Sequence, residues 1–169
     1  SIAPGAGKDI RIIVKEEGDY TGKLKTLKKG TEVLVEGPYG RFSKMVRKTG
    51  KQIWLGGGVG IVPFLSMAKN SGTHKTPIDL YYLVGNKKEA LYLDELNNYA
   101  KINKNLRIVP YYSEERGHIT VDVIEKLSGG IAAAEYFICG PKGMTVSVSH
   151  KKKKKGVSPK YIHSELFKY

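Results

Sequence analysis

The residues of this sequence best placed to do chemistry are glycines. Trp54-Leu-Gly-Gly-Gly-Val-Gly-Ile-Val-Pro63 sets four of them between a strand-like run and a helix-like one. Residues without a Cβ let the backbone close on a phosphate, and a helix start adds free N–H groups and a positive dipole end. A dinucleotide pyrophosphate would bind there. The spacing is not G-x-G-x-x-G, because Pro63 occupies the third-glycine region, where it suits a helix's first turn. A tight turn with no ligand would use the same residues. A second loop, Ile138-Cys-Gly-Pro-Lys-Gly-Met144, follows another apolar run. Ligands of open parallel sheets lie beyond the strands' carboxyl ends, so Cys139 is expected to face the same crevice as residues 57–60. Taken alone, Cys139 reads first as a small buried hydrophobe. A third segment, Gly18-Asp-Tyr-Thr-Gly-Lys-Leu24, offers a glycine and a hydroxyl at a short helix start: another phosphate site, or simply a cap.

Positioning two such loops side by side requires alternating strands and helices. From residue 50 the sequence supplies them. Strands are predicted at 52–55, 78–84, 106–112, 135–139 and 161–167, with helices at 61–69, 89–101, 120–127 and 142–155 between them. Thr120 is the expected N-cap of the third helix. This alternation predicts a five-stranded parallel, doubly wound α/β domain covered by helices on both faces. The first fifty residues read differently, with strands at 10–14 and 32–36, a helical turn or two over 20–27 and a turn at Gly37-Pro-Tyr-Gly40. Two or three strands cannot close a barrel. The expected division is therefore a truncated antiparallel β domain over 1–48 and the α/β domain over 49–169.

Composition excludes several classes. The chain has 169 residues, 40% of them hydrophobic, which suits an ordinary folded core. No stretch reaches the ~18 apolar residues of a membrane span, and no signal peptide is evident. The protein is read as cytoplasmic. One cysteine excludes disulfide scaffolds, thiolate zinc sites and cysteine-held iron–sulfur clusters, and the four histidines lack metal-like spacing, so no metal site is expected. His163 reads as a strand histidine satisfied by its neighbours. The net charge of +13 invites nucleic acid, but five of those charges form one run, Lys151–Lys155, with no interleaved aromatics. A solvated helix end is the reading there, and nucleic acid is not expected as a partner.

Five segments now carry a resemblance. GDYTGKLKTLKKGTEVLVEGPYGRF, IWLGGGVGIVPFLSM, YYLVGNKKEALYLDEL, YFICGPKGM and GVSPKYIHSELF, in that order, closely resemble the ferredoxin–NADP reductase superfamily. Within it, the nearest likeness is to the flavin- and nicotinamide-binding portion of predicted ferric reductases and NADPH-oxidase-like proteins. The resemblance implies an NAD(P)H-dependent oxidoreductase that passes hydride to FAD, from which electrons leave singly to haem, ferric iron or another acceptor domain or protein. It makes the β-rich part the tail of a flavin-binding barrel. It implies that Gly18, Tyr20 and Thr21 contact the FAD pyrophosphate, and that Gly57, Gly58, Gly60 and Ile61 form the nicotinamide nucleotide's pyrophosphate loop. By the same likeness Cys139, Gly140 and Pro141 flank the nicotinamide near hydride transfer, and Glu165 and Phe167 approach the flavin. Relatives of this kind lie beside a membrane, which makes association with its cytoplasmic face the alternative setting for the parent and docking on anionic lipid the second reading of the lysine run.

The departures matter too. The family's Arg-x-Tyr-Ser flavin motif falls where this chain begins, leaving Ser1 at its edge as a remnant of the flavin site. Such a chain should hold FAD poorly. Val62 stands where many relatives have Thr. After the third strand, Ser113-Glu114 replaces the Ser-Arg of NADP-specific relatives. An anion there repels a 2′-phosphate and accepts from ribose hydroxyls, which favours NADH. Arg116, Lys87 and Lys88 are close enough in sequence to reverse that preference. A nucleotide-binding or interaction module without redox turnover is the alternative function.

Overall fold

The computed structural model describes residues 2–5, 9–37, 42, 50–71, 75–130, 134–154 and 157–166, with side chains left aside at 151–154 and 166. Five strands, β3 (Gln52–Gly57), β4 (Ile78–Val84), β5 (Leu106–Tyr112), β6 (Glu135–Gly140) and β7 (Ile162–Leu166), form one parallel sheet. Its order is β5-β4-β3-β6-β7. Every residue of β3 and β6 is buried, as expected of parallel strands covered on both faces.

Side chains alternate across that sheet. Trp54, Phe137 and Cys139 enter one layer with Phe64 and Leu65 of α2 (Val62–Lys69) and Leu96 of α3 (Leu93–Ile102). Ile53, Leu55, Tyr136 and Ile138 enter the other with Ile124 of α5 (Val121–Ser128) and Val148 of α6 (Lys142–Lys154). Trp54 stacks on Phe64 at 5.6 Å between ring centroids and meets Phe137 edge-on at 6.5 Å. Thr120 caps α5, its hydroxyl accepting from the Val123 N–H at 3.3 Å.

The strand starts are tied by charge. Asp79, buried on β4, pairs with Arg107 of β5 at 2.6 Å and with Lys51 at 2.8 Å. Arg107 also donates to the Leu127 carbonyl at 2.8 Å, and Lys51 to that of Ser128, so the network clamps the end of α5. At this same end His163 contacts Glu135 at 2.8 Å, in keeping with a satisfied strand histidine.

A two-stranded antiparallel sheet, β1 (Ile2–Ala3) with β2 (Arg11–Ile12), precedes the parallel one, followed by α1 (Asp19–Lys23) and a 3-10 turn at Leu24–Thr26. It is latched to the α/β layer. Arg11 reaches both carboxylate oxygens of Glu95 on α3, at 3.1 and 2.8 Å, while Ser66 and Lys69 of α2 donate to the carbonyls of Ile2 and Gly5.

Several expectations need correction. No strand forms at 32–36, where Val33 and Leu34 are 66% and 98% exposed, and the strand expected at 10–14 shrinks to two residues. β-Branched residues favour a strand only when a neighbouring strand completes the ladder, and among the described residues no strand pairs with this segment. The second helix starts at Leu93 rather than Glu89, because a 3-10 turn at Lys87–Glu89 comes first. A short extra helix, α4 (Ser113–Arg116), follows β5. The turn at 38–40, Lys155, Phe167 and Ser1 lie outside the described residues.

Candidate nucleotide site

The strand order reverses between β3 and β6: chain leaving β3 goes to β4 on one side, and the later strands add on the other. In such sheets a crevice opens at that point beyond the carboxyl ends. Both glycine loops meet there. After β3 the chain makes a 3-10 turn, Gly58–Ile61, and enters α2 with Pro63 in its first turn. Gly58 has φ +54°, a left-handed conformation that costs other residues energy. Gly60 is present for a different reason. A methyl there would collide with the Cys139 carbonyl and lie 2.7 Å from the Gly140 Cα, so the turn crosses the end of β6 backbone on backbone.

Beyond this crossing lies a cleft of about 610 Å³. It spans four strand ends: Gly57 and Gly58 at the end of β3, Leu83 to Gly85 at that of β4, Tyr111 and Ser113 at that of β5, and Pro141 and Met144 beyond β6. The volume and the bare glycine backbone fit a nucleotide with a phosphate group. Two carboxylates stand over Gly85 at the mouth. Its N–H donates to Glu89 Oε2 at 3.0 Å, and the Asn86 amide donates to Glu89 at 3.2 Å and to Glu114 at 2.9 Å.

The chain belongs to the family of oxidoreductase NAD-binding domains. Its family model matches residues 54–150, which run from β3 into α6 and include both glycine loops. Among proteins similar to it is the ferredoxin–NAD(P)+ reductase component of a naphthalene 1,2-dioxygenase system from Pseudomonas putida. That match is 26% identical over 149 residues, covering 83% of this chain and 45% of the relative. The reductase component of propane 2-monooxygenase from Mycolicibacterium smegmatis is 30% identical over 128 residues, 68% of this chain and 37% of that one. The fold matches a flavohemoglobin from Malassezia yamatoensis, solved with FAD and haem bound, at a TM-score of 0.79 and 19% identity over 99% of this chain and 46% of that one. The chain spans less than half the length of each of these three. Together the family match and the fold place this NAD-binding domain in the ferredoxin–NADP reductase superfamily.

The sequence-predicted residues fall in three places. Gly57, Gly58, Ser113 and Pro141 line the cleft, with Gly60, Ile61 and Gly140 packed directly beneath it. Glu114 does not line the cleft itself but follows cleft-lining Ser113 and accepts a hydrogen bond from Asn86. Cys139 reaches the crevice with its backbone only. Its thiol is fully buried among Trp54, Phe64 and Phe137, and that burial, with Glu165 adding repulsion, pushes its pKa up to about 12. The side chain is therefore a protonated, buried hydrophobe rather than a wall of the crevice, because strand alternation sends it to the α2 face. Glu165 sits opposite Cys139 on β7, half-buried.

Gly18, Tyr20 and Thr21 are not part of this cleft. Gly18 has φ +111°, Tyr20 is 78% exposed, and the Thr21 hydroxyl already donates to the Gly18 carbonyl at 3.1 Å and accepts from Glu17 N–H at 2.8 Å. These residues present an open surface and enclose nothing by themselves. Val62 is fully buried, so its methyls serve the core. Sequence reasoning missed Gly85, Glu89, Tyr111 and His118 as cleft residues. A Gly-Asn pair directly after a buried strand was the signal for the first two. Tyr111 and His118 carried none.

Proposed function

We propose that this domain is the nicotinamide-nucleotide half of a flavoprotein oxidoreductase, binding NAD(P)H, with NADH preferred, and presenting it to FAD. The observation that carries this reading is the backbone crossing of the Gly60 turn over the end of β6, at the order reversal and under a nucleotide-sized cleft. In our reading residues 57–61 take the pyrophosphate, Ser113 and Glu114 the adenosine ribose, and the 139–141 loop borders the nicotinamide. Bound together, the two cofactors supply hydride transfer and one-electron release. The chain's own part is to bind, orient and exclude water. Gly57 and Gly140 let the loops approach closely, and Pro141 and Met144 wall the cleft. Glu165 and Phe167 are proposed to flank the flavin, and residues 1–48, including Ser1, Gly18, Tyr20 and Thr21, to be the tail of its β domain, with 49–169 the NAD(P)-binding domain.

The acceptor is proposed to be a domain or protein carrying haem, iron or another one-electron centre. A ferric-reductase-like parent at the cytoplasmic face of a membrane is the finer proposal. It rests on the sequence resemblance and the lysine run; transmembrane helices with paired histidines upstream of Ser1 would support it, and a soluble barrel alone would oppose it. Among the described residues no helix is long and apolar enough to cross a membrane. A module without turnover is favoured by one observation, the self-satisfied Thr21 hydroxyl on an open surface. Titrating FAD and then NADH into the protein extended upstream of Ser1 separates the readings. Yellow protein whose flavin is bleached by NADH supports the oxidoreductase. Colourless protein that leaves NADH unoxidised supports the module.

A further inference from the structure

We infer that Glu89, joined to Glu114 through the Asn86 amide, is a specificity-determining residue of the cleft and selects a dinucleotide without a 2′-phosphate. This rests on the nucleotide reading above and extends it to a residue and a geometry that the sequence does not show. Glu89 lines the cleft one short turn after β4, whereas Glu114 follows β5. The pairing of β4 with β5, and the bond from Glu114 N–H to the Gly85 carbonyl at 3.0 Å, bring them together. A Cβ on Gly85 would sit 2.8 Å from one Glu89 oxygen and 2.9 Å from a Glu114 oxygen, so both carboxylates crowd the same point. The Asn86 amide donates to both and its carbonyl oxygen accepts from Lys88 N–H at 3.0 Å, which fixes the amide's orientation.

Such a pair is acceptor-only. It can receive the two hydroxyls of an adenosine ribose, whereas a 2′-phosphate would bring up to two further negative charges against two carboxylates. Arg116 lies over the ring of Tyr111, 5.9 Å from its centroid, and Lys87 and Lys88 are exposed on the adjoining turn. Because two residues share the charge, removing Glu114 alone should leave a selective site.

The test is fluorescence titration of the full chain with NADH and NADPH, which differ only in the 2′-phosphate, for wild type, Glu89→Gln, Glu114→Gln and the double variant. Glutamine keeps the acceptor oxygen and removes the charge, and both residues are exposed. The NADH-over-NADPH affinity ratio should fall by roughly tenfold for each single variant and reach parity or invert in the double, with the effect shrinking at high salt. Asn86→Ala, which keeps both charges, should weaken NADH binding while leaving the ratio above parity. A Glu89→Gln ratio equal to wild type would overturn the proposal, as would Glu114→Gln alone reaching parity. If wild type binds neither nucleotide, the nucleotide reading itself fails. If both bind and only the ratios ignore Glu89, that reading stands and the selectivity proposal falls.

Discussion

Replacing Gly60 by alanine probes the backbone crossing on which the site is built. The added methyl would meet the Cys139 carbonyl group, with its carbon 2.6 Å away, and the Gly140 Cα at 2.7 Å. Ordinary contact needs about 3.4 Å or more, and all of these atoms are backbone, so no side chain can swing aside. The turn and the end of β6 must separate by roughly 1 Å. Overpacking of this kind costs about 1–3 kcal/mol, which for a chain of this size lowers Tm by roughly 3–10 °C. Nucleotide affinity should fall further than stability, because a displacement of about 1 Å at an aligned site costs up to ~100-fold. Gly58→Ala is the control. Nothing lies within 4 Å of a methyl there, and its cost comes from φ +54° alone, about 1–2 kcal/mol. Thermal unfolding and NADH titration on both variants check the reasoning. Gly60→Ala with wild-type Tm and NADH affinity would refute it, since the loops would then not be in contact.

Three further outcomes follow from the same coordinates. Asp79→Asn should lose about 2 kcal/mol, because it leaves Lys51 and Arg107 facing an uncharged group at the strand starts. Burial pushes the Asp79 carboxyl up, but hydrogen bonds from Arg107, Lys51 and Ser128 outweigh it and hold the pKa below its ordinary value. That contribution is complete above the unfolded pKa of about 4 and is lost as pH falls through the folded one, so the Tm gap between wild type and Asp79→Asn should close in strong acid. Cys139, buried and with its pKa near 12, should resist thiol labelling at pH 8 until the domain unfolds; fast labelling of native protein would contradict its placement. Arg11→Ala should speed proteolysis of residues 9–37 with little change in the melting of the α/β domain, because the Glu95 pair fastens only the N-terminal segment.

The parts of the fold legible in the sequence are those whose physics is local. β4 and β5 fall at 78–84 and 106–112 as read: β4 is buried nearly throughout and so apolar along most of its length, while β5, at the sheet edge, keeps a strand-length run of mostly apolar residues. Thr120 was legible as a cap because its hydroxyl needs only the N–H three residues on. The strand read at 32–36 does not form for the opposite reason: an apolar pattern makes a strand only with a pairing partner, and pairing is not a local property. The second helix starts later than read, behind a 3-10 turn at Lys87–Glu89, and the short α4 after β5 was not read at all; the Glu114 N–H at its start bonds to the Gly85 carbonyl at the end of the neighbouring strand.

The sequence by itself determined that two glycine loops follow two buried strands, and that the alternation of elements makes a parallel doubly wound sheet. Only the tertiary structure decided which strand ends become neighbours. The order β5-β4-β3-β6-β7 crosses the Gly60 turn over β6, brings Glu89 to Glu114 and turns the Cys139 thiol into the core. Spacing along the chain can specify a turn, but contacts between residues dozens of positions apart exist only once strand order and the two-residue alternation are set.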